Sequence, residues 1–204
     1  MAEEYEDEES TDGYIEIHEN VNKQYHVFLD EPIVGASHYR QLKHLLNTAT
    51  ENDEVIFYIN TEGGNVYAAL GIIEAMNRSK AKIHSIIEGE CMSAGTLIML
   101  NSDKVTITDS AAIMCHSAHY SPPVSHVTNV KKNANSFHEI WRNIERKTYS
   151  GFLTDEELAD ISKGVEIWFS AEETKSRMKS LIEYRKMNKG IAEPLDSTTF
   201  ILNE

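Results

Sequence analysis

The strongest constraint on the fold is an alternation of short apolar runs with amphipathic helical segments. "YHVFLD" (25–30), "EVIFYIN" (54–60), "KIHSIIE" (82–88), "KVTITD" (104–109) and "AIMCHS" (112–117) read as strands. Between them, 37–49 places Tyr39, Leu42, Leu45, Leu46 and Ala49 on one helical face, and 66–79 does the same with Val66, Ala69, Leu70, Ile73 and Met76. Residues 93–101 form a third, largely apolar helical run. Strands alternating with helices predict an α/β domain with a largely parallel sheet.

Beyond residue 117 the pattern changes. A polar, proline-bearing loop, "AHYSPPVSH", precedes a long amphipathic helix over about 128–149, with Phe137, Trp141 and Ile144 on one side. Thr154 followed by Glu157 predicts a capping box at the start of a short helix. "EIWFS" (166–170) reads as a strand, and "SAEETKSRM" as a capped helix. Residues 13–186 are expected to form a single domain, with a disordered acidic leader at 1–12 and a C-terminal tail at 187–204.

Composition narrows the functional classes. The net charge is −14, and the first twelve residues hold seven acidic side chains and no basic one. Such a chain is a poor fit to nucleic acid as main partner. No apolar run is long enough for a membrane span, and the leader has neither the basic start nor the apolar centre of a secretory signal. Two cysteines, Cys91 and Cys115, are too few for a disulfide framework; reduced thiols and a cytoplasmic setting are expected.

Three places carry candidate chemistry. Ser93 sits in "GECMSAG", where an apolar strand gives way to an apolar helix; a hydroxyl there suits an N-cap or a nucleophile. His116 ends an apolar strand, where sites gather in parallel sheets but where a satisfied, half-buried histidine is also common. Gly63 and Gly64 follow another strand; they supply positive φ, or let backbone N–H groups approach a substrate oxygen. A serine nucleophile needs a base, a group to hold that base and donors for the oxyanion. Two rival readings have less support. The "CHSAH" spacing matches no common zinc pattern, and Cys91 lies among small apolar residues that favour an inert thiol.

"INTEGGNVYAALGIIEAM", "EGECMSAGTLIMLNSDKVTITDSAAIMCHS" and "VEIWFSAEETK" together resemble three motifs of the Clp peptidase family (ClpP), in the family's order and near its usual separations. The resemblance covers roughly 25–182. It implies a crotonase-like spiral of ββα units with a long handle helix, and a serine endopeptidase of unfolded polypeptides. It implies Ser93 as nucleophile, His116 as base and Glu166 at the family's aspartate position, with Asp160 as a fallback acid. The oxyanion donors fall on the backbone N–H groups of Gly64 and Ala94, and Gly63 and Ser117 are implied as substrate-binding residues. No cofactor or metal is implied. The expected assembly is a homo-oligomeric, heptameric ring, single or stacked in two, whose subunits expose the long helix; an AAA+ unfoldase is a candidate partner. Three departures stand out: glutamate replaces the triad aspartate, Glu62 replaces a proline before Gly-Gly, and Pro122 and Pro123 lie where the family has a glycine-containing strand. The alternatives are an inactive structural ring subunit, a phage head-maturation protease, or another crotonase-fold chemistry.

Overall fold

The computed structural model describes residues 22–122, 124 and 126–188. The acidic leader lies outside them, as does the tail beyond Asn188. Strand β1 (Gln24–Leu29) leads through a 3-10 turn (Ala36–Tyr39) into α1 (Arg40–Thr48). Then follow β2 (Glu54–Thr61), α2 (Val66–Arg78), β3 (Lys82–Met92), α3 (Ala94–Leu100), β4 (Lys104–Ile107) and β5 (Ala112–Cys115). The remainder is α4 (Val127–Tyr149), α5 (Asp155–Ile161), β6 (Ile167–Ser170) and α6 (Ala171–Met187). This is the α/β architecture that the alternation predicts.

One six-stranded sheet runs β1-β2-β3-β5-β6, with β4 also on β3. Every pairing is parallel except β5 with β6. Strand β3 is longer than the expected 82–88, and its two ends address different neighbours. His84–Ile87 pair with β4, whereas Glu90–Met92 pair with β5. Between these halves the register against β2 slips, so that a step of two residues along β2 (Ile59 to Thr61) spans a step of four along β3 (Ile87 to Cys91). Asn60 fills the gap. Its Oδ1 accepts from Glu90 N–H at 3.0 Å and lies where a side chain on Gly89 would stand.

Burial explains the local choices. In β2, Val55, Ile56, Phe57 and Ile59 are all buried, as expected of a strand covered on both faces. Helix α3 is buried along its whole length, which is why its sequence is apolar all round. The capping box on α5 forms: Thr154 Oγ1 accepts from Glu157 N–H, and the Glu157 carboxylate accepts from Thr154 N–H at 2.8 Å. Helix α6 starts on Ser170, whose Oγ accepts from Glu173 N–H.

Helix α4 corrects one expectation. Its apolar stripe does not face outward for a neighbour. Trp141 is only 4 % exposed, and Phe137 and Ile144 pack half-buried against the core of their own subunit. The hydrophobic side chains α4 leaves to solvent are Val127 and Ile140.

Candidate active site

The turn from β3 into α3 bends sharply at Ser93. Its φ of 54° and ψ of −116° make it the one non-glycine residue with positive φ among the described residues. Such a conformation costs roughly 1–3 kcal/mol and persists only where surroundings enforce it. Here they do. Ser93 N–H donates to Met114 O at 2.9 Å, tying the bend to β5. The buried Thr96 hydroxyl lies 2.8 Å from Cys91 O and 2.9 Å from Met114 O, bracing both strands at the same point.

Ser93 stands at the N-cap position of α3, yet its hydroxyl makes no capping hydrogen bond. Instead Oγ lies 2.6 Å from His116 Nε2. His116 follows directly on β5, which pairs beside the serine turn. Burial, and next the neighbouring His119, push the imidazolium of His116 below its ordinary range, while the Glu166 carboxylate opposes them. A neutral ring can accept the serine proton at Nε2 only in the Nδ1–H tautomer. The His119 ring stands edge-on to His116, with centroids 4.9 Å apart.

The glycine turn after β2 lies against this bend. Gly63 has φ 94° and Gly64 φ 135°. A Cβ on Gly63 would meet Met92 O at 2.6 Å and Ser93 Cβ at 2.8 Å; one on Gly64 would strike Ile33 O. The turn is held by Ile33, whose N–H donates to Gly63 O and whose carbonyl accepts from Asn65 N–H, each at 2.6 Å. Thr61 Oγ1 donates to Glu31 O and accepts from Gly63 N–H. The N–H groups of Gly64 and Ala94 donate to none of the described residues. Two unused donors beside a serine hydroxyl are the arrangement an oxyanion requires.

These groups open into one cleft of about 670 Å³, whose wall includes Gly63, Gly64, Ser93, Ala94, His116 and Glu166. Its apolar lining comes from Leu97, Met114, Phe137, Trp141, Tyr149 and Trp168. Glu166 faces the cleft and acts on His116 as a charge, but no hydrogen bond joins the two. Asp160 is not among the lining residues and pairs with Lys163 at 2.9 Å. Ser117 is turned away from the cleft, toward the Glu145 carboxyl behind it.

Several contributors were not singled out from the sequence. Thr61 falls at the end of a strand, Thr96 in an apolar helical run and Ile33 outside any element, and none carries a signal of its own. Only their hydrogen bonds to carbonyls distant in sequence, on Glu31, Gly63 and Met114, reveal their role as braces. Cys91 is fully buried, and burial pushes its thiol up to about 12, so it is no thiolate. Among the described residues no three His, Cys, Asp or Glu side chains gather as a metal-ligand set.

A Clp protease family profile matches residues 8–177. The chain is 40 % identical over 75 residues to ATP-dependent Clp protease proteolytic subunit 1 of Prochlorococcus marinus (strain NATL2A), covering 36 % of this chain and 38 % of the relative. It is 38 % identical over 60 residues to the ATP-dependent Clp protease proteolytic subunit of Deinococcus radiodurans, covering 29 % of each. With the chloroplastic proteolytic subunit 6 of Arabidopsis thaliana it shares 25 % identity over 130 residues, 62 % of this chain and 47 % of the relative. The chain thus spans less than half the length of these curated relatives. The strained serine turn, the glycine turn and the histidine after β5 all lie within the profile match, and the chain belongs to the Clp protease family.

Proposed function

We propose that this protein is a serine endopeptidase that hydrolyses peptide bonds of unfolded polypeptides. The observation that carries the reading is the 2.6 Å contact between Ser93 Oγ and His116 Nε2, made by a hydroxyl that forgoes helix capping. His116 takes the serine proton as Oγ attacks the scissile carbonyl. The N–H groups of Gly64 and Ala94 receive the oxyanion, and His116 then gives its proton to the leaving amine. Water, deprotonated by the same histidine, releases the acyl group from Ser93. Glu166 stabilises the imidazolium through its charge. Gly63 holds the substrate backbone in the cleft. For Ser117 a supporting position behind the cleft fits better than direct substrate contact.

We further read residues 13–186 as one domain that assembles into a homo-oligomeric ring of seven subunits, single or stacked, with the clefts facing an inner chamber in the cytoplasm. Family membership supports that assembly and an AAA+ unfoldase partner; the inward-turned stripe of α4 does not. Among the described residues no helix is long and apolar enough to cross a membrane. A second reading, an inactive structural subunit, is favoured by one observation: Glu166 makes no hydrogen bond to His116. A serine-directed phosphonate decides between them. The active reading expects a mass-shifted peptide at Ser93, lost in Ser93→Ala; an unlabelled wild-type protein supports the inactive subunit. Light scattering at micromolar concentration tests the ring, and a monomer overturns it.

A further inference from the structure

Among the described residues, the cleft wall carries formal charge at two carboxylates, Glu62 and Glu166, and at no lysine or arginine. Glu62 is exposed on the lip, one residue before the Gly63–Gly64 turn, and makes no ion pair or hydrogen bond with any described residue. Glu166 lines the same cleft from the loop before β6 and is likewise exposed, with no ion pair to any described residue. The same cleft holds the Ser93–His116 pair, which marks where a substrate carbonyl must sit. Everything else on the wall is apolar, hydroxyl, amide or imidazole. A cleft of one sign with low-dielectric walls concentrates ligands of the opposite sign.

We propose that Glu62 makes this cleft select peptide segments carrying lysine or arginine close to the scissile bond. The inference deepens the peptidase reading and rests on it. Its reach follows from chain geometry. An extended peptide advances about 3.3 Å per residue. A long basic side chain starting about two residues either side of the bond at Ser93 can therefore meet a carboxylate beside the oxyanion donors. The apolar lining from Leu97, Met114 and Trp141 suits the aliphatic stem of such a side chain, or an apolar neighbour next to it. Glu166 adds to the same field but is also the candidate triad acid, so Glu62 is the residue that isolates the effect.

The test is a digest of a reduced, alkylated and denatured protein by the full-length wild type, Glu62→Gln and Glu62→Lys, with cut sites mapped by mass spectrometry. Glu62 is exposed and outside every helix, so neither variant threatens the fold. The expected wild-type result is about threefold enrichment of lysine and arginine within two residues of the cuts, as exposed ion pairs of modest strength would give. That enrichment should flatten in Glu62→Gln, turn into aspartate and glutamate enrichment in Glu62→Lys, and fade at high salt. Identical cut-site distributions in all three proteins overturn the inference and leave the peptidase standing. No cuts at all, with no phosphonate adduct on Ser93, overturn the peptidase reading and the inference together.

Discussion

Ser93 Oγ lies 2.6 Å from His116 Nε2 while the first N–H groups of α3 go without a side-chain cap. The hydroxyl therefore serves the histidine at the expense of the helix. The bend that aims it is strained at φ 54°. Replacing Ser93 with glycine should relieve that strain and raise stability by about 1 kcal/mol while abolishing hydrolysis. Ser93→Ala should also abolish hydrolysis but gain no stability, because alanine keeps the strained φ. Chemical denaturation of the three proteins side by side checks the ordering.

The acid limb of kcat/KM should report His116. Its imidazolium is pushed below the ordinary histidine range by burial first and His119 second, so the limb should lie below about pH 6.5. The two neighbours have opposite signs. Glu166→Gln removes a charge that favours the imidazolium, so the limb should move to still lower pH while kcat falls by on the order of 10²–10⁴-fold. His119→Ala removes a neighbour that disfavours the imidazolium of His116 and should move the limb up. A pH profile in which Glu166→Gln shifts nothing places the third member of the triad elsewhere.

Gly63 is the contact between the two turns. In Gly63→Ala the new methyl group would meet Met92 O at 2.6 Å and Ser93 Cβ at 2.8 Å, and φ 94° is unfavourable for alanine. Stability should drop by about 1–3 kcal/mol, and kcat by on the order of 10²-fold, because a small displacement of the serine turn misaligns nucleophile and donors. Thermal unfolding and peptide hydrolysis measure the two effects separately.

Thr96→Val keeps the shape but leaves Cys91 O and Met114 O without the hydroxyl that joins them. The expected cost is about 1–3 kcal/mol. Thr96→Ser should restore most of it. If the brace also positions Ser93, kcat should fall in the valine variant and recover in the serine variant, with KM little changed.

Glu145 is 3 % exposed on α4, and burial raises its carboxyl above the ordinary range despite the Ser117 hydroxyl and Trp141 indole beside it. Its Oε1 and Trp141 Nε1 find no hydrogen-bond partner of good geometry among the described residues. Below the unfolded carboxyl's value both states are protonated and nothing is lost. As pH rises through the folded value, the unfolded chain gives up its proton first, so wild-type stability declines. Glu145→Gln should lack that decline and exceed the wild type by about 1 kcal/mol at pH 8. Urea titrations at pH 4 and pH 8 reveal the crossing.

Much of this was legible in the sequence. Apolar runs located the strands and α3, one-sided periodicity located α1, α2 and α4, and caps located the starts of α5 and α6, although α6 runs on to Met187, past the segment its cap marked. Ser93, His116, Gly63, Gly64 and Ala94 converge because each ends or begins such an element. Ser117, one residue past His116, is not among the residues lining the cleft and stands beside Glu145 instead. The stripe of Phe137, Trp141 and Ile144 was assigned to a neighbour because amphipathicity shows that a face is covered, not what covers it. The braces Thr61 and Thr96 act through carbonyls far along the chain, on Glu31 and Met114, which no local pattern encodes.

The slip between β2 and β3 also governs parity. Because a step of two along β2 spans a step of four along β3, the surplus is even, and Ile87 and Cys91 both keep their side chains in the core. Deleting Gly89 alone would make it odd. Cys91 and Met92 would then exchange faces, the strand would reach Ser93 half a pleat out of phase, and the hydroxyl would leave the cleft. Removing two residues would restore the phase but shorten the reach to β5. The segment from Glu88 to Glu90 is thus a frame counter for the serine, intolerant of single insertions and deletions even though it carries no reacting group.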